Sequence, residues 1–484
     1  MKRLILLLSL AAFGSQALAQ VIDPFKMRIQ KTHQIKLLNH GLASLEERLQ
    51  MIERAEKSID VEYFIYNLDK SGRIFTQALI DKAHSGVKVR MLLDYAMIKS
   101  QFSPFYAHQM AEAGIEVKYF NPTATLNLFR GTYRNHRKVL LIDGVEAITG
   151  GRNIGDEYFD LREDFNFLDR DIEVKGEIVT SIQDTFNKVW DAEVSKIVVR
   201  DHKPEESDGI YRRDQGEYDS FRYRQDLKNW NEKVNKAKEF SMVSDALLVN
   251  DIRVKGKAEL SEEYQGTCEN MSFNSEYPII GQKNRSERII KHDIAERIKN
   301  AKESVLFDSP YFIVNDESKT ALETALRNKV KVTLLTNSLN STDAVYVYDV
   351  FDSTIKGWLE KGMESYIYKG SLPENYPTID DLVAHSRFGV HAKSFVFDKK
   401  DVVIGTFNFD PRSANLNTEM TISCDNNPEL ARIVTEDIEG RIKNSIELDS
   451  NKTVDDVLFY NVGFLKKIEY FLLKVPANIF DYLL

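Results

Sequence analysis

Apolar residues in this chain gather in short, nearly unbroken runs set between longer amphipathic stretches. Residues 55–66 read AEKSIDVEYFIY, a helix end followed by a Val-, Ile-, Tyr- and Phe-rich run that predicts a strand. Residues 301–314, AKESVLFDSPYFIV, repeat the same order of features. A helical stretch follows each, Ile74 to His84 and Lys319 to Arg327. A second strand comes next, VKVRMLLD from Val87 and VKVTLLTN from Val330. Both are near-continuous apolar runs, which suits strands covered on two faces. Further on, KVLLIDGVEAITGGRN from Lys138 matches KSFVFDKKDVVIGTFN from Lys393 at an offset of 255 residues with no gap. Each of these reads as strand, polar turn and strand. The chain writes one unit twice, and the alternation of strands and helices predicts an α/β protein of two duplicated lobes.

The same patterning sets the boundaries. Lys2 and Arg3, the apolar stretch from Leu4 to Phe13 and the small-x-small Ala17-Leu18-Ala19 have the form of a signal peptide over residues 1–19. Residues 20–205 and 281–450 are the expected N- and C-terminal lobes. The intervening 206–280 is charged and aromatic without strand alternation, and is expected to be a helical or irregular connector. The closing segment, 451–484, places Phe464, Leu465, Ile468, Phe471, Leu472 and Val475 on one helical face. Lys466 falls on the opposite face, and Lys467 and Lys474 toward a flank. Such a helix either packs on the lobes or meets a membrane surface.

Composition narrows the class. The 484 residues carry 65 Lys+Arg against 74 Asp+Glu, which disfavours coating nucleic acid through bulk charge while leaving a local basic groove open. A chain of this length buries a large core without disulfide or metal staples. Cys268 and Cys424 are its two cysteines, and their spacing does not say whether they pair. Past the leader, no run approaches 18 consecutive apolar residues, so no transmembrane helix is expected.

The candidate chemistry lies inside the repeat. Each copy contains His-x-Lys-x4-Asp: His136, Lys138 and Asp143, then His391, Lys393 and Asp398. An asparagine follows 17 residues after each histidine, Asn153 and Asn408, and an acid follows that, Asp171 and Glu419. Residues i and i+2 of a strand point to one face, so each His and Lys are expected to project together. Two imidazoles, two ammonium groups and two amides around one point suit a phosphate that gains charge in the transition state. One histidine can attack phosphorus while the other protonates the departing alkoxide. Asp171 and Glu419 are expected to orient the imidazoles. Lysine is a poor neighbour for a cation, so neither a metal nor another cofactor is expected.

The duplicated HxKx4D, with its glycine-containing turn and asparagine, resembles the phospholipase D superfamily over about residues 34–450. The stretches LASLEERLQMIERAEKSIDVEYFIYNLDKSGRIFTQALIDKAHSGVKVRMLLDYA and GTFNFDPRSANLNTEM are most similar to its bacterial cardiolipin-synthase-like branch. That resemblance implies two phospholipase D-type lobes, each a mixed β-sheet flanked by helices, with one active site at a pseudo-two-fold interface. It implies a metal-independent exchange at phosphorus through a phosphohistidine, with His136 the nucleophile and His391 the acid. Lys138, Lys393, Asn153 and Asn408 would hold the phosphate, and Asp143 and Asp398 would be structural. Arg137 and Arg152 depart from the commonest text at positions with no expected role.

The implied function is an exported phosphatidyltransferase or phospholipase D. It would sit in the periplasm or be secreted, peripherally bound to a membrane surface, and act on a phospholipid. The alternatives are a periplasmic nuclease of the same superfamily, disfavoured by the acidic charge, and a non-catalytic lipid-binding relic, disfavoured by two intact motifs.

Overall fold

The computed structural model describes residues 26–98, 102, 104–122, 132–197, 220–241, 246–277, 288–373, 376–377, 381–449 and most of 461–470. The expected leader, 1–19, and most of the closing segment lie outside the described residues.

The first half contributes strands β1 (Lys26–Leu38), β2 (Ser58–Tyr63), β3 (Lys88–Asp94), β4 (Ile115–Phe120), β5 (Val139–Ile142), β6 (Glu146–Gly150), β7 (Phe165–Leu168), β8 (Asp171–Lys175) and β9 (Ser195–Ile197). The second contributes β10 (Gln265–Ser275), β11 (Ser304–Asp308), β12 (Lys331–Asn337), β13 (Glu364–Tyr368), β14 (Arg387–Val390), β15 (Ser394–Phe397), β16 (Asp401–Gly405), β17 (Met420–Asp425) and β18 (Ser445–Glu447). Sixteen of them form one mixed sheet in the order β18-β13-β12-β11-β15-β16-β17-β10-β1-β8-β6-β5-β2-β3-β4-β9. Read outward from the antiparallel β1–β10 pair at its centre, the two halves have the same order. In each, three parallel strands (β2, β3, β4 and β11, β12, β13) join an antiparallel hairpin (β5–β6 and β15–β16). The duplication in the text is a duplication in the fold.

Helices flank the sheet in equivalent places. The pairs are α1 (Gly41–Arg54) with α6 (Ile289–Asn300), α2 (Lys70–His84) with α7 (Asp316–Arg327), and α3 (Ile178–Asp191) with α9 (Pro428–Lys443). The second pair starts alike: Asp69 accepts from the Gly72 amide and Asn315 from those of Glu317 and Ser318. Beyond their first residues, strands β3 and β12 are buried apart from the half-buried Arg90, as apolar runs covered on both faces should be. Each fully buried Val, Leu or Ile there contributes roughly 1.5–3 kcal/mol relative to exposure.

Two expectations about the flanks change. The stretch assigned to a connector holds α4 (Ser220–Ser241) and α5 (Ala246–Glu262), as expected of helices, but also the 11-residue β10. Strand β10 is the counterpart of β1, so the second unit begins at Gln265. Its sequence, QGTCENMSFNS, hides this, because Gln265, Thr267 and Glu269 are exposed and its buried end includes Ser272, Asn274 and Ser275. Cys268 of β10 is disulfide-bonded to Cys424 of β17. At the other end, Val462 and Tyr470 pack into the C-terminal lobe, and the Tyr470 hydroxyl donates to Asp352 of α8 (Val345–Glu360) at 3.1 Å. Lys466 Nζ donates to the Thr342 carbonyl at 2.5 Å. Phe464 and Ile468, one helical turn apart, are 76% and 41% exposed. The short turn therefore packs by its lysine and tyrosine side and turns apolar side chains outward.

Candidate active site

Each HxKx4D motif runs down the entry to a hairpin. His136 and Lys138 lie in the extended approach to β5, and His391 and Lys393 in the approach to β15. Within each motif the lysine folds back on the histidine: Lys138 Nζ donates to the His136 carbonyl at 2.6 Å, and Lys393 Nζ to the His391 carbonyl. The motif aspartates occupy the far end of the hairpins, in the left-handed turn positions with φ of 54° at Asp143 and 49° at Asp398. Asp143 accepts from the backbone amides of Glu56, Lys57 and Ser58, and Asp398 from those of Lys302, Glu303 and Ser304. They tie each hairpin to the strand beside it and line no part of the cavity described below.

The two histidines are held from across the lobe boundary. His136 lies 2.9 Å by its Nδ1 from Glu419 Oε2, and its backbone amide donates to the Thr418 carbonyl at 3.0 Å. His391 mirrors this: Nδ1 lies 2.6 Å from Asp169 Oδ2, and its amide donates to the Leu168 carbonyl at 2.8 Å. The second of these pairings extends into a two-stranded parallel ribbon, β7 with β14. With Nδ1–H given to a carboxylate, each imidazole keeps a lone pair on Nε2.

Asp171, the acid expected to orient a histidine, does not do so. It accepts from Ser44 at 2.7 Å and from Arg48 at 3.0 Å, and pairs with Arg152 at 3.2 Å, all buried. Asp169 takes the expected role. Strand register explains the two-residue difference. Gly150 pairs with Asp171 and Gly405 with Thr421, and the acid stands two residues before the partner in both halves. Counting from the asparagine misleads, because the first half inserts the short 3-10 turn Asp156–Tyr158 and β7. The two arginines also have roles. Arg137 pairs with Glu62 at 3.2 Å, and Arg152 donates to the Asp169 carbonyl at 3.0 Å, bracing the residue that orients His391.

Burial dominates the titration of the site. It pushes His136 down to about 4 despite Glu419, and lowers His391, with Lys393 adding to the effect. Lys138 is pushed well below its usual value, and Lys393 down to about 8. Burial works against the charged forms of Asp169 and Glu419 as well, yet the histidine beside each holds it below the ordinary carboxylate range. The site therefore keeps neutral imidazoles backed by carboxylates, with lysines whose protonation an arriving anion would favour.

Both imidazoles open on one cavity of about 540 Å³. Asn153 and Asn408 line it too. Asn153 is fixed, accepting from the Ile65 amide at 3.0 Å and donating to the Tyr158 hydroxyl at 2.9 Å. The Asn408 side-chain oxygen, Oδ1, is buried without a hydrogen-bond partner among the described residues. Phe64 stands edge-on to His136, and Phe167 and Tyr158 pack against His391. Arg134, Tyr311, Asp343, Asp410, Arg412 and Asn417 add to the polar wall, all of them outside the two HxKx4D motifs. The arrangement is one cavity between two lobes, with paired, carboxylate-backed histidines.

Comparisons with known proteins give the class. The family described as "Cardiolipin synthase, PLD-like domain" matches residues 49–190 and 294–442. The chain belongs to this family, within the phospholipase D superfamily. It is 30% identical over 398 residues to cardiolipin synthase C of Escherichia coli, covering 79% of each chain. An uncharacterized Helicobacter pylori protein is 29% identical over 437 residues, covering 85% of this chain and 80% of its own. The crystal structure of phosphatidylserine synthase from Haemophilus influenzae has the same fold, with a TM-score of 0.62 at 14% identity, over 93% of this chain and 95% of that one.

Proposed function

We propose that this protein is an exported phosphatidyltransferase that exchanges the alcohol of a phospholipid through a phosphohistidine on His136, in the manner of cardiolipin synthesis. The observation that carries this reading is the crossed pairing of His136 with Glu419 and of His391 with Asp169 around one cavity. In the first step the His136 Nε2 lone pair forms a bond to phosphorus. The phosphorus–oxygen bond to the head-group alcohol breaks, and that oxygen takes a proton from His391. In the second step an incoming alcohol gives its proton to His391 and attacks phosphorus, and the phosphorus–nitrogen bond breaks. Water in place of the alcohol gives hydrolysis. Protonated His391 is favoured once the anionic diester enters, since an adjacent negative charge raises an imidazole pKa. The lysines and amides supply positive charge and hydrogen bonds, so no metal is needed.

Similarity to cardiolipin synthase C supports a lipid substrate over nucleic acid. Three features support export and a peripheral membrane position. They are the leader-like residues 1–19, a disulfide of the kind that persists in oxidising compartments, and the outward-facing Phe464 and Ile468. The test supplies the mature chain with phosphatidylglycerol, phosphatidylethanolamine and single-stranded DNA in excess chelator. Exchanged or hydrolysed lipid without nucleotide release is expected. Nucleotide release with intact lipid would replace this reading by the nuclease.

A further inference from the structure

The catalytic groups obey the duplication, but the mouth of the cavity does not. Tyr66 bridges to Ile154 and Phe312 to Phe409, which makes Ile65 the counterpart of Tyr311. Beyond the equivalent strands β3 and β12, the first lobe presents Met97 and the second Asp343. All four line the cavity. At these two positions and at Phe64 the first lobe's lining is thus apolar, while the same lobe also contributes Arg134. The second lobe's wall is a hydroxyl and a carboxylate, joined by donation from the Tyr311 hydroxyl to Asp343 Oδ1 at 2.9 Å.

The Asp343 loop is built rather than loose. The Lys466 ammonium group holds the Thr342 carbonyl, and the Thr342 hydroxyl accepts from the Ala344 amide at 3.1 Å. Asp343 itself stays exposed, able to accept further hydrogen bonds. Its negative charge reaches His391 and Lys393 and favours their protonated forms. This wall belongs to the lobe of the histidine that hands a proton to the departing alcohol and takes one from the arriving alcohol.

We propose that Tyr311 and Asp343 form the alcohol subsite, selecting alcohols that carry a second hydrogen-bond donor, a neighbouring hydroxyl or an ammonium group, close to the reacting oxygen. The apolar wall of Phe64, Ile65 and Met97 then faces the part of the lipid that stays on phosphorus. This inference rests on the transfer reading above. A carboxylate gains more from such a donor than from an apolar alcohol, because hydrogen bonds to charged groups are stronger than those between neutral ones.

The test offers the mature chain phosphatidylglycerol vesicles with radiolabelled ethanolamine, glycerol or propan-1-ol, and measures kcat/KM for transfer of each labelled alcohol into lipid. In Asp343→Asn, the ratio for ethanolamine or glycerol over propan-1-ol is expected to fall about tenfold, the effect of ~1.4 kcal/mol. Tyr311→Phe should move the ratio the same way by less. A fall for ethanolamine alone identifies the ammonium group as the selected donor, and a fall for glycerol alone the neighbouring hydroxyl. An unchanged ratio in both variants, with melting temperatures near that of the parent, overturns the subsite alone. A parent chain that forms no phosphatidyl-alcohol overturns the transfer reading and the subsite with it.

Discussion

Glu419 Oε2 lies 2.9 Å from His136 Nδ1, and the two residues belong to different halves of the repeat. With the matching contact between Asp169 and His391, each lobe supplies the carboxylate for the other lobe's imidazole. A single lobe holds a histidine and a lysine but lacks the acid that fixes the tautomer.

The two histidines should separate on covalent labelling. His136→Ala is expected to abolish turnover and phosphoenzyme together. His391→Ala should lower turnover by about 10²–10⁴-fold, the range for loss of a general acid. It should still accumulate phosphoenzyme from a substrate whose leaving group departs without protonation. Equal labelling of both variants would reverse or remove the role assignment.

Asp169 and Asp171 are two residues apart and should fail differently. Asp169→Asn is expected to lower kcat about 100-fold or more with little change in KM, because it misorients His391. Asp171→Ala strips the partner from buried Arg48 and Arg152, and should cost about 3–5 kcal/mol of stability. Melting temperature and kcat measured on the same preparations distinguish the two. A stability loss confined to Asp169→Asn would contradict the geometry.

The pH profile follows from burial. His136 is held near 4, so its lone pair stays available through neutral and mildly acidic conditions. Lys393 titrates near 8, and its positive charge is present below that value and lost above it. Plotted against pH, kcat/KM should therefore fall on the acid side toward 4 as His136 takes up a proton. On the alkaline side it should fall first as His391, which burial holds below the ordinary imidazole value, loses the proton it must give, and fall further above 8 as Lys393 deprotonates. An acid limb centred on 6.5 would mean an unperturbed nucleophile.

Cys268 and Cys424 are 156 residues apart in sequence and join β10 to β17. Closing a loop of that size removes chain entropy from the unfolded state worth at most about 5 kcal/mol. Cys424→Ser should lower the midpoint of urea unfolding, and a reducing agent should do the same to the parent chain. No shift in either would show that the pair contributes nothing to stability.

Phe464 and Ile468 point away from the lobe that Lys466 and Tyr470 grip. Replacing both by serine should weaken binding to anionic vesicles and lower activity there, with activity on short-chain lipid in detergent and the melting temperature kept. A parallel fall of both activities would assign the turn a packing role instead.

The lobes, their repeated strands and the histidine–lysine pairs were legible in the text, because strand-forming runs and a fixed 255-residue offset are local, one-dimensional signals. Strand β10 was not, since a strand at the middle of a sheet can satisfy its backbone through its neighbours while carrying Asn, Ser and Thr. The orienting acid was missed by two residues because an insertion before β7 broke the parallel between the halves, and only the pairing of Gly150 with Asp171 restores the count. Which carboxylate serves which histidine, whether two cysteines meet, and which wall of the cavity carries Asp343 all depend on how distant segments pack across the boundary. By itself the sequence determined the kinds of groups and their spacing along the chain. The tertiary structure decided their partners, because a hydrogen bond depends on separation in space, and residues 283 apart in the chain lie within one of each other here.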